Sequence, residues 1–203
     1  MPESNNSPQR YLQKTDMVLR KIIARVKLKP RKAHNRYFEA LCVSIINQQL
    51  SGKAAATIEK RFRALFPAKR FPKPAQVMRK SDAQLRSAGL SSQKINYIKS
   101  LAKLVNRNEI SFKKFSRMAD EDIISQLVKV KGIGRWTAEM FLMSCLNRPD
   151  VFSHSDLGLK NAIKRWYKLD EDRHFRKYHR LVESWKPHRT TAARYLWASL
   201  SVK

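Results

Sequence analysis

Apolar residues recur along most of the chain at the three-and-four spacing that lines one side of a helix. Tyr37, Phe38, Leu41, Cys42, Ile45 and Ile46 form one such stripe. Ile58, Phe62, Leu65 and Phe66 form a second, stopped by Pro67. Ser81 and Gln84 make a capping-box pair ahead of a short helix whose C-terminal cap suits Gly89. Ile95, Ile98, Leu101, Ala102 and Val105 mark a further helix. Asp120 is a candidate N-cap for the next, with Glu121 and Asp122 favourable in its first turn. Later helices centre on Ile163 and Trp166, on Phe175 and Tyr178, and on Leu196 and Trp197. No segment alternates as a half-buried strand would, no repeat or low-complexity tract stands out, and FPAKRFPKPAQ (66–76) reads as the longest loop. The pattern predicts an all-α fold of about ten helices. Residues 1–15 are expected to be a disordered polar and basic tail and 16–203 one folded domain.

Composition narrows the class of partner. Lysine and arginine number 43 against 16 acidic residues, a net charge of +27, while 42% of residues are hydrophobic. A folded chain this basic repels itself and is most readily understood beside a polyanion such as nucleic acid, although a solvated cationic surface would give the same balance. Cys42 and Cys145 are too few for a four-cysteine zinc or iron–sulfur centre and, lying in apolar stretches, are expected to be buried thiols. No metal site is expected. With no membrane-length apolar run and no signal-peptide pattern, the protein is expected to be soluble and intracellular.

The most informative segment is LVKVKGIGRWTAEMFL (127–142). A helix ends with Leu127 and Val130 on one face, and Lys131, Gly132, Ile133 and Gly134 leave room only for a tight turn. A second helix begins near Arg135 with Ala138, Phe141 and Leu142 inward. Two glycines bare the backbone so that its N–H groups can approach a phosphate, at the positive end of a helix dipole, with Lys131 and Arg135 adding charge. Such a device grips the DNA backbone without reading sequence. An ordinary αα-hairpin also turns on glycines; here the apolar spacing, the small Ala138 and the basic balance favour phosphate binding.

This segment resembles the helix-hairpin-helix of the base-excision DNA glycosylase superfamily, nearest to the DNA-3-methyladenine glycosylase II family. IINQQLSGKAA (45–55), LRSAGLSSQKINYI (85–98), PDVFSHSDLGLKNAI (149–163) and SWKPHRTTAARYLW (184–197) follow that family's order, so the resemblance spans roughly residues 35–200. It implies a compact form without the N-terminal β domain of larger bacterial members. The implied fold has two helical lobes, the hairpin at 120–145 and the active site in the cleft between the lobes. Implied too is removal of alkylated purines of the 3-methyladenine and 7-methylguanine type from double-stranded DNA, by a monomer that works in the nucleoid or cytoplasm of a prokaryote or the nucleus of a eukaryote. No cofactor is expected, apart from a monovalent cation that the hairpin backbone can hold.

Asp156, 22 positions after Gly134, opens the helix LGLKNAIKRWY and stands where the family has its essential carboxylate. Breaking a purine N-glycosidic bond leaves positive charge on the sugar, which a fixed carboxylate stabilises. An Asp at a helix start also caps it, and the two roles are compatible. Lyase-competent relatives carry a nucleophilic lysine just after the hairpin; Trp136 stands there, which implies hydrolysis by water alone. Trp136 and Trp185 resemble pocket-lining tryptophans, whose faces attract a cationic base, although core packing is the commoner role of a tryptophan. Met140 and Phe152 complete the candidate pocket. Met140 stands where larger members have a tyrosine, and His154 is either a pocket or a surface residue. Gln48, Gln49 and Leu50 follow the first helix of the motif set, and Gln49 is the candidate for filling the gap left by a flipped base. Thr137 and Gly89 are further candidates for DNA contact. A non-catalytic hairpin protein and a glycosylase for deaminated or oxidised bases are the alternatives. Asp156 at the family's position favours the enzyme.

Overall fold

A computed structural model describes residues 7–30, 33–67 and 71–202. Among them are twelve α-helices, one 3-10 helix and no strand. The helices are α1 (Pro8–Thr15), α2 (Met17–Arg25), α3 (Tyr37–Asn47), α4 (Gly52–Ala64), α5 (Pro74–Arg79), α6 (Asp82–Ser87), α7 (Ser92–Asn106), α8 (Asp120–Leu127), α9 (Arg135–Ser144), α10 (Leu157–Tyr167), α11 (Phe175–Ser184) and α12 (Arg189–Ser199). The 3-10 helix, Phe112–Arg117, lies between α7 and α8. The chain forms two compact units, one of residues 33–141 and one that joins residues 1–32 to 142–203.

In the central unit, the stripes read from the sequence become the core. Leu41, Cys42, Ile45 and Ile46 of α3, Phe62 of α4, Leu85 of α6 and Ile95, Ile98 and Leu101 of α7 are all buried. Ser51, Ser81 and Ser91 cap α4, α6 and α7 through their hydroxyls, and Gln84 completes the capping box at Ser81. Gly89 ends α6 with φ +94°, a left-handed conformation that favours glycine. Burial, and then the charge of Glu39, pushes the Cys42 thiol well above its ordinary pKa. Cys145, in the terminal unit, is likewise buried.

The terminal unit corrects the expected tail. Residues 8–15 form α1, started by Pro8 behind the Ser7 cap, and its Leu12 is fully buried; residues 1–6 lie outside the described residues. Asp16 ends α1 and starts α2. Its Oδ1 accepts from the N–H groups of Val18 and Leu19, capping α2, and its Oδ2 accepts from Tyr167 Oη and Trp185 Nε1, all four at 2.8 Å. A carboxylate 8% exposed is thus fully hydrogen-bonded, and it ties α2 to the ends of α10 and α11. Burial and the neighbouring Asp16 push the Tyr167 phenol far up, which keeps it a donor.

Two smaller expectations are also revised. Ala119, not Asp120, occupies the N-cap of α8, so Asp120 stands in the first turn with Glu121 and Asp122, where their charge suits the helix dipole. The end of the proline-rich segment is not loop: Pro74 starts α5, and Gln76 bonds back to the Lys73 N–H.

Candidate functional site

In the terminal unit the site is built around Asp156. The segment leading to it is stitched to the start of α12. The Val151 N–H donates to Thr190 Oγ1 (3.0 Å), whose hydroxyl donates to the Val151 carbonyl (3.2 Å), and Arg189 grips Asp150 with Nε–Oδ1 2.8 Å and Nη2–Oδ2 3.0 Å. Asp156 follows as the N-cap of α10, its Oδ1 accepting the Leu159 N–H at 2.8 Å. The same Oδ1 accepts Trp197 Nε1–H from α12, also at 2.8 Å. Asp156 is 8% exposed, so two donors fix a carboxylate that is almost withdrawn from water. Gly158 makes room for this arrangement. A Cβ there would stand 3.1 Å from Asp156 Oδ1 and 3.1 Å from Trp197 Cδ1.

The expected pocket is only partly assembled by the structure. Trp185 has no exposed surface and spends its indole N–H on Asp16; it is a core residue, because its ring packs 5.9 Å from both Tyr167 and Phe152. Phe152 is 6% exposed and packs between Trp185 and His154. Trp197, in the same sequence segment as Trp185, is the tryptophan that touches Asp156. Trp136 is 44% exposed, as a stacking surface needs to be, and Met140 is half-buried.

In the central unit, the hairpin forms as expected between α8 and α9, but its residues divide the work differently. Gly132 has φ +86°, and a Cβ on it would overlap the ring of Tyr97, at 2.0 Å from Cδ2. A Cβ at Gly134 would meet nothing within 4 Å. Gly132 is therefore required by packing and turn geometry, whereas the space around Gly134 is open. Lys131 is exposed beside them. Ile133 and Thr137 are buried, and the Ile133 N–H is spent on the Val130 carbonyl, so these two anchor the turn rather than offer side chains to DNA. Arg135 is also committed. Its guanidinium bonds Glu121 (Nη1–Oε2 3.0 Å) and Glu139 (Nε–Oε1 2.9 Å), pinning α8 to α9 and offsetting the charge expected to face a phosphate. Gly89 donates its N–H to the Arg86 carbonyl at 2.8 Å, so that group serves the end of α6.

The turn after α3 stands beside this hairpin. Gln48 Nε2 donates to the Gly132 carbonyl at 2.8 Å. Lys94 Nζ donates to the carbonyls of Ile46 (2.7 Å) and Gln48 (2.8 Å), placing a cation at the C-terminal end of α3. Burial lowers the pKa of Lys94. Gln49, held at φ 56°, and Leu50 are exposed at the tip. Gln48, Gln49 and Trp136, expected separately from the sequence, line one concavity of about 600 Å³ with Ala40, Val43, Ser44 and Asn47.

A model of the "HhH-GPD superfamily base excision DNA repair protein" family matches residues 42–188. The chain belongs to the HhH-GPD superfamily. This HhH-GPD chain is 33% identical over 168 residues to a putative DNA-3-methyladenine glycosylase of Bacillus subtilis, covering 80% of the chain and 58% of that relative's length. A solved DNA-3-methyladenine glycosidase of Bacillus halodurans superposes with TM-score 0.87 at 33% identity, over 98% of this chain and 91% of that one. The 3-methyladenine DNA glycosylase of Schizosaccharomyces pombe, solved in complex with abasic DNA, superposes with TM-score 0.84 at 29% identity, over 97% and 98% of the two chains. Among the described residues of this HhH-GPD protein, no helix is long and apolar enough to cross a membrane.

Proposed function

We propose that this chain is a DNA glycosylase that hydrolyses the N-glycosidic bond of alkylated purines, with Asp156 as its catalytic carboxylate. The observation that carries the reading is the geometry of Asp156, a nearly buried carboxylate fixed by the Leu159 N–H and Trp197 Nε1–H in an HhH-GPD chain. The names of its relatives, and the abasic-DNA complex of one, support the same substrate class. As the bond from C1′ to the base breaks, its electron pair leaves with the base and positive charge develops on the deoxyribose. A preorganised carboxylate stabilises that charge at little reorganisation cost. Water then adds to C1′ and loses a proton to the carboxylate or to solvent.

The exposed face of Trp136 suits stacking on an unpaired base, and a methylated purine, being cationic, adds attraction to the ring. The same residue stands where a lyase would need its lysine, so the product is an intact abasic site. The polar side chain of Gln49, on an exposed left-handed turn, is the candidate filler for the vacated stack. An enzyme of this kind works inside the cell, wherever the chromosomal DNA lies. The direct test incubates the protein with methylated duplex DNA and identifies the released bases by chromatography. Free 3-methyladenine or 7-methylguanine is expected. Release of only deaminated or oxidised bases from matched substrates, or of none, would overturn the proposed specificity or the enzyme itself.

A further inference from the structure

Asp170, Glu171 and Asp172 are three consecutive acidic residues in a strongly basic chain. Glu171 is the most buried member of a cluster with His154, from the segment before α10, and His179, from α11. His179 Nε2 lies 3.2 Å and His154 Nδ1 3.8 Å from Glu171 Oε1, and one ligand atom from each of the three residues lies within 4.8 Å of the others. Both ring nitrogens are shielded from water, and neither has a hydrogen-bond partner among the described residues. A desolvated imidazole nitrogen without a partner is costly, and here two of them face one carboxylate oxygen. Phe175 packs on His179 at 4.2 Å and Phe152 on His154 at 5.1 Å, which limits how far either ring can turn away.

We infer that His154, Glu171 and His179 form a binding site for one divalent transition-metal cation of the zinc class. Two imidazoles and a carboxylate are a donor set this class accepts, with a remaining position open to water. Donors on bonds of ~2.0–2.2 Å to a tetrahedral metal stand roughly 3.3–3.6 Å apart, close to the two separations from Glu171 Oε1. The two rings are stacked at 4.5 Å and 19°, so loading must tilt their nitrogens toward each other. Lys160 Nζ holds Glu171 Oε2 at 2.8 Å and leaves Oε1 directed at the histidines, as partners of metal-ligating carboxylates do. The metal would join the segment that carries Asp156 to α11 and to the loop after α10. This role is a structural clip, and it stands whether or not Asp156 is catalytic.

The test uses the full chain, stripped with a chelator and titrated with Co²⁺. One equivalent should bind with the visible absorption of a low-coordinate nitrogen and oxygen site. Zn²⁺ should displace it and raise the melting temperature as a ligand of the native state does. His179→Ala and His154→Asn, each checked for helical content, should weaken binding by at least about tenfold and abolish the melting shift. Where His179→Ala fails to fold, His154→Asn and Glu171→Gln carry the same comparison. Absence of a cobalt band in the parent, or equal affinity in folded variants, would overturn the site.

Discussion

Trp197 donates its indole N–H to Asp156 Oδ1 at 2.8 Å, across from the Leu159 N–H at the same distance. One oxygen of the carboxylate is therefore fixed by two elements, the first turn of α10 and the face of α12. Trp197→Phe keeps an aromatic ring but removes the donor. A hydrogen bond to a charged group contributes about 1.5–3 kcal/mol, so base excision should slow by roughly ten- to a hundredfold while DNA affinity holds. Single-turnover rates on methylated duplex, with binding measured in parallel, check this. A parental rate in the Phe variant would reduce Trp197 to packing.

The two hairpin glycines should respond in opposite ways. Gly134→Val should fold normally, since its Cβ enters open space, but its bulk should keep phosphates away and weaken binding to every duplex alike. Gly132→Ala has a left-handed φ and the Tyr97 ring against it and should lose stability by roughly 1–3 kcal/mol before DNA is considered. Thermal melts and salt-dependent binding curves on undamaged DNA separate the two. In the parent, affinity should fall steeply with salt, as expected of a chain of charge +27 that displaces counterions. Unaltered binding by a folded Gly134→Val variant would make the hairpin merely structural.

Reaction products give a third check. With Trp136 rather than lysine after the hairpin, abasic sites should stay unbroken until heat or alkali is applied. Borohydride should trap no covalent enzyme–DNA adduct. Efficient trapping would mean that one of the other lysines acts as a Schiff-base nucleophile.

Much of this was legible in the sequence because it rests on local rules. The stripes of α3 and α7, the Ser81–Gln84 box, the Gly132 turn and Asp156 at a helix start all follow from spacing and capping. What escaped depends on contacts between distant residues. Residues 8–15 read as a polar tail, yet Leu12 is buried in the core, and Asp16, which follows, ties α2 to Tyr167 and Trp185 far along the chain. Trp185 is expected in the pocket and Trp197 only in a helix; helix orientation turns the first into the core and the second onto Asp156. Arg135 counts as free charge until Glu121 and Glu139 are seen to hold it. Lys94, far from the hairpin in sequence, gave no signal that it would brace the Gln48–Gln49 turn.

The central claim is that the negative charge of Asp156 drives base release, and Asp156→Asn tests it most directly. The amide oxygen can still accept from Leu159 and Trp197, so the helix cap and the fold should survive. Loss of the charge should slow excision by on the order of a hundredfold or more, with affinity for damaged DNA equal to the parent's or higher, since a carboxylate repels phosphates. The measurement is single-turnover release of methylated purine by parent and variant at matched saturation, with melting temperature recorded for both. A slow, folded, tightly binding variant is the predicted result; a folded variant that excises at near the parental rate would contradict the account and leave Asp156 as a helix cap.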